Sequence, residues 1–185
     1  MRPLTALLFL SAPAAAATPD QVASTYADLA LAGYQDSLTT AQALQQAVAT
    51  LIATPSDETL QAARTAWLAA RVPYQQTEAF RFGNPIVDDW EGRVNAWPLD
   101  EGLIDYTSAD YGNEENALAA LNVIATPTFT LSGTAIDATT ITPALIADTL
   151  HEADGIEANV ASGYHAIEFL LWGQELDGTG LGAGA

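Results

Sequence analysis

The sequence contains no cysteine and no lysine, and its basic side chains are limited to five arginines among 185 residues. Without cysteine the chain has no thiolate metal site, no cysteine nucleophile and no structural disulfide. The 23 acidic residues give a net charge of −18, and such a surface repels nucleic acid and anionic lipid headgroups. The acidity either favours cations, including metal ions, or serves solubility alone. We therefore expect no nucleic-acid partner, whereas a metal ion or a small ligand remains open.

Long apolar runs are also missing, apart from a short one at the N-terminus. Arg2 precedes an apolar stretch at residues 4–10 and an alanine run at residues 14–17. That order is typical of a secretory signal peptide, and the run is too short for a strong membrane span. We expect residues 1–17 to be removed on export, which leaves residues 18–185 as a domain of the periplasm or cell envelope, where it can meet an envelope or outer-membrane partner.

The first half of this domain shows two helical patterns. Thr18 is a predicted N-cap, and apolar residues then recur at spacings of three and four as far as Leu51. Ser56 is the predicted N-cap of a second helix. We expect Pro73 to kink this helix and Gly83 to end it.

The second half is less regular, and we expect no convincing strand in it. The pattern predicts a long ordered loop at residues 84–113, a short helix at 117–125, an extended segment at 126–141, a helix from Thr142 to about Leu150 and a last helix from about Gly155 to Trp172. Together with the two long helices, these elements predict an all-α fold of the helical-bundle type.

One helical segment near the C-terminus carries chemistry. His165 precedes Glu168 by three residues, so both side chains project from one helix face and can share a metal ion. Imidazole and carboxylate together suit iron, manganese or zinc. The flanking residues are apolar, which predicts a buried helix in which the Glu168 carboxylate needs a partner. That partner is a metal ion, an arginine or His165 itself, and the last two would make the pair purely structural.

Two further groups carry a weaker signal. His151 and Glu152 begin like the zinc-protease motif His-Glu-x-x-His, but Gly155 stands where the second histidine is needed. We therefore expect His151 to be a surface residue. Glu78 and Arg81 lie one turn apart among aromatic residues, which predicts either a buried ion pair or a salt bridge on a helix surface.

The segment at residues 163–174 resembles the Gly-x-His-x-x-Glu signature of the imelysin-like family. Two other blocks resemble it in the same order, at residues 67–83 and 89–98. The resemblance spans about residues 20 to 182 and implies a fold of two helical-bundle halves. Family members are about twice this length, so we expect this chain to correspond to the N-terminal half, with most of the second bundle lacking.

The resemblance also implies a site and a function. It carries His165 and Glu168 over as ligands of a divalent or ferric ion, iron or zinc above all, with Glu78 as the third ligand. Arg81, Trp97 and Gly163 are expected to support this site. The implied function is metal-linked binding that serves iron acquisition; the alternatives are a metallopeptidase of the imelysin type and a purely structural bundle. A catalytic zinc site usually has three protein ligands and a water, so the few ligands here favour binding.

Overall fold

The computed structural model describes residues 16–108 and 116–174, and within them the protein is mainly helical. The α-helices in these residues are α1 Pro19–Ala53, α2 Asp57–Gln76, α3 Pro85–Val94, α4 Glu101–Ile104 and α5 Gly163–Trp172. The other regular elements are the 3-10 turns Thr77–Phe80 and Ala153–Gly155, the π-helical segment Leu145–Thr149 and the strands β1 Thr128–Leu131 and β2 Thr134–Asp137. The all-α bundle prediction is confirmed, with one small hairpin added. The signal segment lies outside the described residues, apart from Ala16 and Ala17.

Helices α1 and α2 form an antiparallel hairpin whose two starts are fixed by side-chain caps. Thr18 Oγ1 accepts a hydrogen bond from the Gln21 backbone N–H at 3.3 Å, and Ser56 Oγ accepts one from Thr59 at 3.2 Å. Each cap satisfies a backbone donor that the first helical turn leaves open. Both predicted N-caps are therefore confirmed. The second helix continues through Pro73 to Gln76 before it tightens into the 3-10 turn.

Helix α5 packs on this hairpin and completes the bundle. The Trp67 indole N–H donates to the Tyr164 carbonyl at 2.9 Å, and the Trp67 ring meets the Trp172 ring edge-on at 5.4 Å. The buried side chains that the three helices share are Leu44, Ala63, Trp67, Ala70, Tyr164 and Leu171. Each large apolar side chain buried in this way contributes about 1.5–3 kcal/mol. Across the described ranges, no helix is both long and apolar enough to cross a membrane.

A second core forms around the β-hairpin. Strands β1 and β2 pair antiparallel from Thr128↔Asp137 to Leu131↔Thr134. Ser132 and Gly133 connect them with φ values of 46° and 82°, as two-residue hairpin turns require. The expectation of an extended segment at residues 126–141 is confirmed, but it contains strands that the sequence analysis did not expect. The inner face packs with Leu103 of α4 and with side chains that include Leu145 and Leu150.

The expectation of a loop at residues 84–113 is wrong for much of that range. Pro85 occupies the first position of α3, where a missing backbone N–H costs nothing. The apolar spacing that supports this helix is interrupted by acidic residues, which made the segment resemble a loop. A further turn of helix, α4, follows at Glu101–Ile104, and residues 109–115 lie outside the described residues.

The expected helix at residues 117–125 is also wrong, since this segment consists of turns. Three of its backbone N–H groups donate to carbonyl oxygens of α4 instead of to carbonyls one helical turn back in the same segment. The N–H groups of Asn122, Val123 and Ile124 donate to the carbonyls of residues 102, 103 and 104 at 2.8–3.3 Å. These bonds close the C-terminal end of α4, where helix carbonyls otherwise lack partners.

The last two predicted helices differ in extent from the observed ones. The segment before Leu150 is largely π-helical, and α5 begins at Gly163 instead of near Gly155. Residues 156–162 are non-helical, and the buried Asn159 side chain anchors them: its amide N–H donates to the Ala153 carbonyl at 2.8 Å and its oxygen accepts from Asn116 at 2.7 Å.

Candidate functional site

His165 and Glu168 contact each other directly on one face of α5. The distance between His165 Nδ1 and Glu168 Oε2 is 2.9 Å. An ionised carboxylate only accepts hydrogen bonds, so this contact places the imidazole proton on Nδ1. Among the described residues no hydrogen bond occupies the other ring nitrogen, Nε2. The His165 imidazole therefore offers the lone pair of Nε2 to a ligand, and the Glu168 carboxylate fixes its direction.

Helix α5 is not buried all round, contrary to the sequence-based expectation. The Glu168 side chain is 43% exposed and Leu170 is 54% exposed. The reason is that α5 packs by two sides, with Tyr164 and Leu171 toward the hairpin and Ala166 and Phe169 toward Leu99 and Ile104, and both Glu168 and Leu170 lie outside these contacts. Glu168 thus needs no partner to offset burial, and its contact with His165 is favoured by geometry rather than forced by desolvation.

Trp97 covers the imidazole of His165. The ring centroids of Trp97 and His165 are 4.8 Å apart and the ring planes are inclined by 47°. Trp97 is itself 66% exposed, and the His165 side chain is 17% exposed. The indole therefore shields the imidazole from solvent on one side while the Glu168 side stays open.

Gly163 allows α5 to begin against the end of α3. Its φ is +88°, and a Cβ at this position would lie 2.6 Å from the Val94 carbonyl oxygen. The neighbouring Ser162 hydroxyl donates to the Arg93 carbonyl at 3.0 Å. Only glycine combines this φ with so close a backbone approach, so Gly163 sets the position from which the His165–Glu168 pair projects.

The structure does not bring Glu78 to this pair. Glu78 is exposed on the 3-10 turn after α2 and lines a separate cavity. In the part of the chain that the structure describes, no three histidine or acidic side chains are grouped closely enough to hold a metal ion. His165 and Glu168 remain as a predicted set of two, and Glu78 drops out as the third ligand.

Arg81 lies on the same separate cavity, and its ion pairs are with α3. Its NH1 lies 2.9 Å from Glu91 Oε1, and its Nε lies 3.9 Å from Asp88 Oδ1. The predicted Glu78–Arg81 pair is thus replaced by contacts that the sequence could not indicate, because α3 was expected to be a loop.

His151 is largely buried, which corrects the expectation of a surface residue. Its side chain is 16% exposed, and its Nδ1 is buried without a hydrogen-bond partner in the described part of the chain. Its Nε2 lies 4.0 Å from the Glu152 carboxylate. The preceding residue, Leu150, is fully buried in the second core, which draws the imidazole inward.

Arg71 has contacts that were not predicted from the sequence. Its NH1 donates to Asn95 Oδ1, and its guanidinium lies over the rings of Trp67, Tyr74 and Tyr164 at 5.7, 5.7 and 5.1 Å. The available signal was the Arg71–Tyr74 spacing of three on one helix face. Asn95 follows α3, so its part in the contact could not be foreseen.

The fold and this pair define an all-α bundle protein whose last described helix presents a carboxylate-bound imidazole. The chain belongs to the imelysin family, whose model matches residues 30–184. The chain is also similar to Iron-regulated protein A of Synechococcus elongatus (strain ATCC 33912 / PCC 7942 / FACHB-805), with 41% identity over 61 residues. That match covers 32% of this chain and 17% of the relative, so the chain spans well under two thirds of that protein.

Proposed function

We propose that this protein is an exported cell-envelope protein that binds a metal ion at His165 and serves iron acquisition. The observation that carries the proposal is the hydrogen bond from His165 Nδ1 to Glu168, which leaves Nε2 available. Histidines that ligate metals through one nitrogen almost always donate the other N–H to a carboxylate, a carbonyl or water. The name of the similar Iron-regulated protein A supports the link to iron.

The donor set suits a metal ion that arrives as cargo. An imidazole nitrogen suits iron, zinc and manganese, and the Glu168 carboxylate orients the ring. Because Glu168 binds Nδ1, the ligand atom that this pair offers is His165 Nε2, and the metal would keep water or chelator oxygens in its remaining positions. The acidic surface, with a net charge of −18, draws cations toward the protein.

The second candidate function is a metallopeptidase, favoured by the peptidase designation of the imelysin family model. A catalytic zinc site usually has three protein ligands and an open position, which the described residues do not supply. Incubation of the protein with an unstructured peptide and zinc separates the two functions. Cleavage that disappears in His165→Ala would establish the peptidase.

Thermal melting with ferrous, zinc or manganese ions tests metal binding. A metal that binds only the folded state stabilises it by about 2.7 kcal/mol at a hundredfold excess over the dissociation constant. We expect His165→Ala to lose this shift and Glu168→Gln to weaken affinity by about 10- to 100-fold. His151→Ala is the matched control, because it removes the other histidine and should keep the shift. Equal shifts in all four proteins would show that the acidic surface holds the metal.

Export is tested separately by mass spectrometry of protein recovered from the cell envelope. The proposal expects a new N-terminus between residues 15 and 19. An intact Met1 on envelope-localised protein would contradict it.

A further inference from the structure

A polar cavity lies between the end of α2, the following 3-10 turn and α3. Its volume is about 140 Å³. A single buried water needs about 10–15 Å³, so the cavity has room for a ligand of several non-hydrogen atoms. The lining side chains that the argument uses are Arg71, Tyr74, Gln75, Glu78, Arg81 and Glu91.

Arg71 has no ion-pair partner in the part of the chain that the structure describes. This is unexpected in a protein with 23 acidic residues and five arginines. Arg81 pairs with Glu91 at 2.9 Å and Arg93 pairs with Asp148 at 3.2 Å. Arg64 also has no ion pair among the described residues, but its Nε donates to the Leu171 carbonyl at 2.9 Å. A partly buried guanidinium without a counter-ion carries a desolvation cost.

The contacts that Arg71 makes offset only part of this cost. Three aromatic rings and the Asn95 side chain surround the guanidinium, and each cation–π contact contributes about 0.5–2 kcal/mol. Only one of the five guanidinium N–H groups has a hydrogen-bond acceptor among the described residues. None of its nitrogens is both buried and unpartnered, so the remaining donors reach open space.

Tyr74 supplies a second donor one helical turn away. Its hydroxyl has no hydrogen-bond partner in the described residues, and Tyr74 lines the same cavity. Burial, with a smaller contribution from Glu91, raises the pKa of Tyr74 to about 12. The phenol therefore keeps its proton at physiological pH. The Gln75 side chain adds amide N–H groups to the same lining.

The acidic residues of the lining restrict the charge of a ligand. Glu91 Oε1 accepts hydrogen bonds from Asn95 Nδ2 at 3.0 Å and pairs with Arg81, so its charge is largely offset. Glu78 stands exposed on the lining. A ligand with one negative charge binds the unpaired Arg71 with little electrostatic repulsion, whereas a ligand with two negative charges would be repelled by Glu78 and by the acidic surface.

We propose that this cavity binds a small carboxylate, with the Arg71 guanidinium donating to both carboxylate oxygens and the Tyr74 hydroxyl donating a further hydrogen bond. A guanidinium matches a carboxylate in bidentate geometry and forms strong charge-assisted hydrogen bonds. The ligand is either a free carboxylic acid or the C-terminal carboxylate of a peptide. The site shares no residue with the His165–Glu168 pair and stands independently of it.

Titration calorimetry with acetate, and with an N-acetylated dipeptide as free acid or as amide, tests the proposal. Fluorescence of Trp67, whose ring lies 5.7 Å from the Arg71 guanidinium, gives a second signal. We expect saturable binding of acetate or of the peptide acid. Binding of acetate identifies a free acid as the ligand class, and binding of the peptide acid without acetate identifies a chain terminus.

The variants separate binding from structure. Arg71→Gln should weaken the affinity for the carboxylate at least tenfold, and Tyr74→Phe should weaken it several-fold. Arg71→Lys should have an affinity between those of wild type and Arg71→Gln, because lysine keeps the positive charge but lacks the two parallel N–H groups of a guanidinium. Arg64→Gln is the matched control: Arg64 lies on the same helix over the Trp172 ring, outside this cavity. If Arg71→Gln does not fold, Tyr74→Phe decides. The proposal is overturned if no saturable binding is found, or if the amide or sulfate binds as well as the acid. It is also overturned if the affinity is unchanged in Arg71→Gln or, where that variant does not fold, in Tyr74→Phe.

Discussion

The indole of Trp97 lies against the imidazole of His165, with the ring centroids 4.8 Å apart. This contact joins the segment after α3 to the exposed side of α5. It also places a fluorescent group beside the nitrogen that we propose as a metal ligand. The pair therefore gives the site a reporter of its own.

Metal binding at His165 should quench the fluorescence of Trp97. Iron and cobalt ions quench an indole at contact distance, and the other three tryptophans make no ring contact with His165 among the described residues. We expect Trp97→Phe to lose most of the metal-induced quenching while it retains the metal-induced melting shift. Trp90→Phe is the control, since Trp90 is 62% exposed on α3. Full quenching in Trp97→Phe would place the metal elsewhere.

Substitution of Gly163 by alanine should destabilise the fold strongly. The φ of +88° strains any side chain, and the new Cβ would lie 2.6 Å from the Val94 carbonyl oxygen. Strain and overpacking together should lower the free energy of unfolding by roughly 3 kcal/mol or more. Denaturant unfolding measures this loss.

Gly173→Ala separates strain from collision. Gly173 has a φ of +77°, but a Cβ there meets nothing within 4 Å in the described structure. We expect a loss of about 1–3 kcal/mol from the backbone conformation alone, because a φ of 77° with a ψ of −173° is a region that essentially only glycine occupies. Equal losses in the two variants would mean that the approach of Val94 to Gly163 is not tight in solution.

The long helices could be predicted from local signals, whereas the shorter elements could not. Thr18 and Ser56 cap α1 and α2 through bonds to residues three positions ahead, which a sequence pattern contains. The turn at Asn122 depends on carbonyls of α4. The start of α5 depends on Ser162 and Gly163 meeting the end of α3. Such long-range partners leave no periodic signal.

The same distinction applies to the candidate sites. The His165–Glu168 pair lies within one turn of one helix, so its spacing alone predicted the contact. Glu78 was assigned by family resemblance, and only the fold shows that it lines a separate cavity instead. The unpaired state of Arg71 is visible only once the acidic side chains are placed. Spacing predicts pairs within an element, whereas the third member of a site depends on packing.

Trp67 should be the largest single contributor to the contact between α2 and α5. Its side chain is 7% exposed, and its indole N–H donates to the Tyr164 carbonyl at 2.9 Å. Trp67→Ala should lower the free energy of unfolding by about 3–5 kcal/mol. Trp90→Ala, at an exposed position, should cost under about 1 kcal/mol. Denaturant midpoints of the two variants compare them directly, and similar losses would contradict this packing.

Alkaline titration should reveal the burial of Tyr74. Its folded-state pKa of about 12 lies above the ordinary value of 10.0, so the folded protein favours the neutral phenol. This contribution to stability is therefore fully present below pH 10 and is lost as the pH rises from 10 through 12. Ultraviolet absorbance of the phenolate should show a late phase near pH 12 that Tyr74→Phe removes. Tyr106→Phe, at a position 76% exposed, should leave that phase intact. A wild-type titration complete near pH 10 would show that Tyr74 is open to solvent, and its hydroxyl would then not be the protonated donor that the polar cavity needs.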